Sequence, residues 1–190
     1  PLMIHHDLKI IDEFDNLYKK SYFKYKNYHF INDKNLGQIL GPCGVMGNTI
    51  LLNKKLKEII LPFPNTLDYH DYWIAINCEL FGKRYTIKEQ LINYRFHNNN
   101  TSNNKKYNSN PNNNAHLLRL PYLKELHKKI PIQSDIKTLN SYIDYLENKK
   151  NIIIILYNAI KFKLLKKGLL NIIKALNKLI IKRINDETHI

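Results

Sequence analysis

The pattern of apolar and polar positions divides the chain into three stretches. Leu2 to Ile11 is an apolar run with His5, His6 and Asp7 inside it, which reads as a strand. Residues 12–34 are polar and aromatic with no clean period, and are expected to form loop with short helical pieces. Gly41-Pro42-Cys43-Gly44 marks a turn. Val45 to Leu52 then reads as a strand, and Asn53 is placed to cap a helix over 54–60 that Pro62 and Pro64 end. From His70 to Phe81, Tyr72, Ile76, Glu79 and Leu80 recur at helical spacing. That spacing predicts an amphipathic helix closed by Gly82. Arg84–Ile87 and Gln90–Phe96 read as two short strands, which puts residues 1–97 in the α/β class.

The pattern then breaks. Residues 98–114 are dominated by Asn, with Ser, Lys and Pro111, and a segment that buries so little apolar surface is expected as a loop or linker. Residues 115–190 form the third stretch and read as helical over 115–129, 134–147 and 151–184. In the last of these, Leu165, Leu169, Ile172, Ile173, Leu176 and Ile180 share one helical face, with lysines roughly opposite. A basic amphipathic helix of this kind suits an anionic membrane surface; packing on the domain with a solvated lysine face is the other reading.

Composition sharpens the list of partners. The chain has 190 residues, with 30 Lys and Arg against 16 Asp and Glu, a formal net charge of +14. A balance that basic points to a polyanion, a membrane surface or a phosphorylated substrate, unless the lysines reflect base composition of the genome. Hydrophobic residues make up 44%, including 13 Tyr and 7 Phe, which excludes a disordered chain. Cys43 and Cys78 are too few for a disulfide framework and read as free thiols of a reducing compartment. The chain opens on Pro1 and runs at once into a strand, as a piece of a longer protein would. Its longest apolar stretch near the C-terminus, 152–160, falls short of the ~20 residues needed to span a bilayer. A cytoplasmic location is expected, with peripheral attachment to the inner face of the plasma membrane as an option.

The candidate chemistry lies between Gly41 and Asn100. Asp71 sits at the start of the predicted helix, where free backbone N–H groups and the helix dipole favour a carboxylate. It is either a cap or a functional acid, and His70 beside it is open to the same two readings. Tyr94-Arg95-Phe96-His97 ends a strand. Alternation puts Arg95 and His97 on one face and Tyr94 and Phe96 on the other. Arg95 has the planar fork that grips phosphate or carboxylate, and His97 is a possible proton carrier or metal ligand.

Taken in order, HDYWIAINCELFGKRYTIKEQLINYRFHNNN resembles the HD-W…G…I…L..YR.H..N pattern of bacterial family 2 glycosyltransferases, rhamnosyltransferase-like group. MIHHDLKIID with Ser21, Tyr22 and Phe23, and GPCGVMGNTILLNKKLKEIILPFP, resemble that group's preceding elements. The likeness covers about residues 2–102. It implies the C-terminal, acceptor-side half of a GT-A nucleotide-diphospho-sugar transferase fold, followed by a helical tail. It implies Asp71 as general base for an inverting transfer from a nucleotide-sugar donor to a saccharide or lipid-linked acceptor in cell-envelope polysaccharide synthesis. His70 and Trp73 would shape the acceptor side, Gly41 and Tyr94 would bind substrate, and Arg95 and His97 would face the donor diphosphate or its metal. A divalent ion, Mg or Mn, is implied for the full-length protein, with its main ligands before residue 1, because no Asp-x-Asp occurs here in that role. No nucleic-acid partner is expected. The competing readings are a non-catalytic basic module on membrane or nucleic acid, and a degenerate truncated transferase.

Overall fold

The computed structural model of the chain describes residues 1–28, 30, 32–41, 43–65, 67, 69–97, 100, 119–147 and 160, with only the backbone of Tyr145. The expected linker, apart from Asn100, and the basic tail, apart from Ile160, lie outside the described residues.

Strand β1 (Leu2–Ile11) is the centre of a mixed four-stranded sheet. Along one edge it pairs antiparallel with β2 (Leu17–Lys19) near its end and with β3 (Leu51–Leu52) near its start. Along the other it runs parallel to β4 (Lys83–Arg95) for its whole length. The α/β class read from the sequence is what the structure shows, with two differences of extent. The stretch 45–52 contributes only the two residues of β3, because Gly47–Thr49 winds into a 3₁₀ turn first. The two strands read over 84–87 and 90–96 are one, with its register to β1 broken where Lys88 and Glu89 have no partner.

That break explains the odd composition of β1. Before it, Met3, His5 and Asp7 point inward beside Arg84, Thr86 and Gln90; after it, Leu8 and Ile10 do, beside Ile92 and Tyr94. An irregularity of one residue exchanges the faces of a strand, so a period-2 pattern changes phase within it. Asp7 sits at the phase change and is fully buried. Its carboxylate accepts from the Leu8 N–H (2.8 Å), the Phe23 N–H (3.0 Å), Ser21 Oγ (2.5 Å) and Gln90 Nε2 (3.0 Å). Four donors replace the water that a buried carboxylate gives up.

Among the described residues, six helices follow from local signals and pack in turn. Ser21 Oγ accepts from the Lys24 N–H to start α1 (Tyr22–Lys26), and Asn27 ends it in the left-handed region at φ 57°. Helix α2 (Leu36–Leu40) precedes the Gly41–Gly44 turn. Asn53 caps α3 (Lys54–Ile60) as expected, its Oδ1 accepting from Leu56 N–H at 3.1 Å and also from Leu2 N–H at 3.0 Å, which ties the helix to β1. Helix α4 (His70–Phe81) has the expected bounds but not the expected amphipathicity: Tyr72 through Leu80 are all buried. A helix buried on every side is the centre of its layer. Helices α5 (Leu120–His127) and α6 (Gln133–Glu147) supply much of that cover, through Tyr122, Leu123, Leu126, Leu139, Tyr142, Ile143 and Leu146. Each such buried side chain contributes about 1.5–3 kcal/mol over an exposed one. At the turn after α4, Gly82 is required by close approach: a Cβ there would lie 2.4 Å from the Pro1 carbonyl oxygen. Among the described residues, no helix is long and apolar enough to cross a membrane.

Candidate functional site

The first turn of α4 opens toward the end of the sheet where β1 and β4 finish. Its N-terminal residue, Tyr69, makes no side-chain cap, and Asp71 is the acid of the first turn. Asp71 Oδ1 accepts from the N–H of Tyr72 at 2.8 Å. Asp71 is half-buried and His70 exposed. The His70 ring lies over Gly47, so close that a Cβ on Gly47 would fall 2.5 Å from Nε2. The glycine of the 3₁₀ turn is therefore what admits the imidazole.

Three groups feel the charge of Asp71. The Tyr22 hydroxyl is held above the ordinary phenol range by burial first, then by Tyr28, Tyr94, Tyr25 and Asp71. Tyr28 is raised by burial, Cys43 and Asp71. The Cys43 thiol is pushed up to about 12 by desolvation; Asp71 adds to this, while the Val45 N–H, Arg119 and Arg84 oppose it. The phenols thus remain O–H donors at neutral pH, and the thiol is no nucleophile. Cys43 itself stands at φ 50°, and Gly44 beside it at φ 79° packs against the Tyr28 ring. Cys43 and Gly44 thereby form a wall against Tyr28, whose ring lies 6.1 Å from that of Tyr22. Gly41 ends α2, its N–H donating to Gly37 O.

Beside this wall lies a cavity of about 220 Å³, lined by Ile10, Met46, Tyr94, Phe96 and the tyrosines and lysine of the β2–α1 segment, Tyr18, Tyr22, Tyr25 and Lys26. Tyr94 and Phe96 share this cavity, as strand alternation predicts. Tyr18 and Phe96 stack at 6.5 Å with planes 10° apart, and Tyr25 meets Tyr18 edge-on at 6.2 Å. A space below the usual 300–1,000 Å³ of a whole small-molecule site suits a single ring. The segment YKKSYFKYK carries the signal for these side chains, but the sequence reading took from it only Ser21, Tyr22 and Phe23.

Two residues of the sequence-derived site sit elsewhere. Trp73 is 7% exposed, gives its indole N–H to Ile60 O at 2.9 Å and meets Tyr122 edge-on at 5.4 Å. It is a core residue behind the site, with no free face for a sugar. Arg95 turns its fork onto the loop between β1 and β2: Nη1 donates to Asp12 O and Glu13 O, and Nη2 to Asp15 Oδ1 at 2.6 Å. A guanidinium held by that turn is not poised for a diphosphate. His97 starts a turn closed by Asn100, whose Oδ1 accepts from the His97 N–H at 2.5 Å and whose Nδ2 lies 3.5 Å from the Tyr94 hydroxyl.

One cation reaches the site from beyond the Asn-rich segment. The Arg119 guanidinium lies 3.8 Å over the Tyr72 ring and 5.9 Å from that of Tyr69. No local motif marks it. Among the described residues, no three His, Cys, Asp or Glu side chains gather into a set that could hold a metal ion. The expected divalent ion therefore has no ligand set among the described residues. Compared with protein-family models, curated proteins and solved structures, the chain matches none.

Proposed function

We propose that this chain is the acceptor-side portion of an inverting glycosyltransferase of the GT-A kind, with Asp71 as general base. The observation that carries the proposal is Asp71 itself: a half-buried carboxylate on the first turn of a buried helix, whose charge reaches the hydroxyl of Tyr22, one of the tyrosines that line a ring-sized cavity. The ordered resemblance over residues 2–102 points to the same chemistry. An acceptor sugar lies against the tyrosines with one hydroxyl toward Asp71. Asp71 takes the proton as the hydroxyl oxygen bonds to the anomeric carbon of a nucleotide sugar. The bond from that carbon to the diphosphate oxygen breaks, the nucleoside diphosphate leaves with the electron pair, and the configuration inverts. Tyr22 and Tyr28, protonated donors near Asp71, orient the hydroxyl and the carboxylate. His70, seated on Gly47, fixes the entrance.

The test is transfer of labelled sugar from a panel of nucleotide sugars to envelope extracts by the full-length protein, wild type against Asp71→Asn. A fall of about 10²–10⁴-fold in the variant is the expected outcome, the usual contribution of a positioned base. Transfer undiminished in the variant removes Asp71 from this role. No transfer from any donor favours a binding module or an inactive relic.

A further inference from the structure

The cavity beside Asp71 is aromatic and also electrically one-sided. Residues 16–32 contain four lysines, Lys19, Lys20, Lys24 and Lys26, and no Asp or Glu. Two of these ammonium groups hang over the cavity's rings. Lys19 Nζ is 4.8 Å from the Tyr18 centroid and 5.8 Å from that of Tyr25; Lys26 Nζ is 5.1 Å from Tyr25 and 5.8 Å from Tyr22. Neither pairs with a carboxylate among the described residues, and the acid nearest to Lys19 in sequence, Asp15, is engaged by Arg95. Two of the rings beneath them remain open, Tyr18 at 53% and Tyr25 at 45% exposed, and so does Phe96, stacked on Tyr18, at 43%.

We infer that this cavity takes a saccharide ring bearing an anionic substituent, a carboxylate or a phosphoryl group, with the ring on Tyr18, Tyr25 and Phe96 and the anion on Lys19 and Lys26. Aromatic faces accept the C–H side of a sugar, and each lysine contributes charge without geometric demand, so either anion fits. The arrangement also gives the ligand a direction. Tyr22 is shared by the two charges: Lys26 lies over its ring, and Asp71 acts on its hydroxyl. Repulsion from Asp71 turns the anion toward the lysines, which leaves an uncharged hydroxyl facing the base. The inference rests on the transferase reading for that last step and on the cavity alone for binding.

Calorimetric titration of the chain tests it with four probes: a glucuronate disaccharide, glucose 1-phosphate, a neutral glucose disaccharide and a short thymidine oligonucleotide. At low salt, the charged sugars are expected to bind about tenfold more tightly than the neutral one, as two exposed ion pairs allow. The preference should vanish in the Lys19→Ala/Lys26→Ala variant, fall with added salt, and survive in the control Lys55→Ala. Preference for glucuronate over the phosphate assigns the anion as carboxylate, and the reverse order as phosphoryl. Equal binding of neutral and charged sugars, no binding of any sugar, or tighter binding of the oligonucleotide overturns the inference. Sugar transfer by the full-length protein that ignores Lys19 and Lys26 but requires Asp71 overturns it while leaving the transferase standing. Charge-dependent sugar binding by a protein whose transfer ignores Asp71 does the opposite.

Discussion

The two ends of helix α4 are built to opposite rules. At the C-terminal end the buried charges are paired with each other. Glu79 Oε2 accepts from Arg84 Nε at 3.1 Å with both side chains under 5% exposed, and its other oxygen accepts from the Asn35 N–H. Arg84 Nη1 donates to Thr86 Oγ1 at 2.9 Å, which in turn lies 2.9 Å from His5 Nε2. At the N-terminal end the cap position makes no side-chain hydrogen bond, His70 is exposed, and among the described residues Asp71 accepts a hydrogen bond from the N–H of its neighbour alone. A closed network holds a helix in register; an open end leaves a carboxylate ready for something not part of the chain. One helix is thus anchored at one end and open at the other.

The largest effect that would break this contrast is expected at the closed end. Glu79→Ala leaves the Arg84 charge without its carboxylate and the Asn35 N–H without its acceptor, at a cost of about 3–5 kcal/mol. Denaturant unfolding should show it, whereas Asp71→Asn should change stability by under about 1 kcal/mol. Equal losses at both positions would erase the distinction.

Acid sharpens the same point. Burial, with Arg84 and His6, lowers His5 from 6.5 to about 3, so the folded protein keeps this imidazole neutral where the unfolded chain protonates it. Between those two values the unfolded state binds more protons, and stability falls as pH is lowered from 6.5 toward 3. In His5→Gln the unfolding free energy should depend less on pH across that window; an unchanged slope would place the acid sensitivity elsewhere.

The smallest effect is expected at the open end. Gly47→Ala displaces the His70 ring, since the new methyl would lie 2.5 Å from Nε2, yet an exposed imidazole has room to swing away. Stability should hold within about 1 kcal/mol while transfer falls severalfold. An unaltered transfer rate would make His70 a bystander.

How much of this was legible follows from the range of each signal. Asn53, Gly82 and the bounds of α4 were readable because caps and close turns act within a few residues. Asp71 was readable as the acid of that helix's first turn for the same reason, and its reading as a base came from the resemblance. The fate of Trp73 and Arg95 was not, because Ile60, Tyr122 and Asp15, which hold them, lie 13 or more residues away along the chain. The two short strands read on either side of Lys88 and Glu89 were one strand, since only pairing with β1 bridges the broken period.

The sequence by itself determined the α/β class, the positions of most helices and the acid at the head of α4, all through local periodicity and capping. Only the tertiary structure decided that Trp73 is core, that Arg95 grips a turn, and that Tyr18, Tyr22, Tyr25, Tyr94 and Phe96 surround one cavity near Asp71. The physical reason is the parallel pairing of β1 with β4. It sets residues more than 80 positions apart side by side, and no local pattern records which side chains meet there.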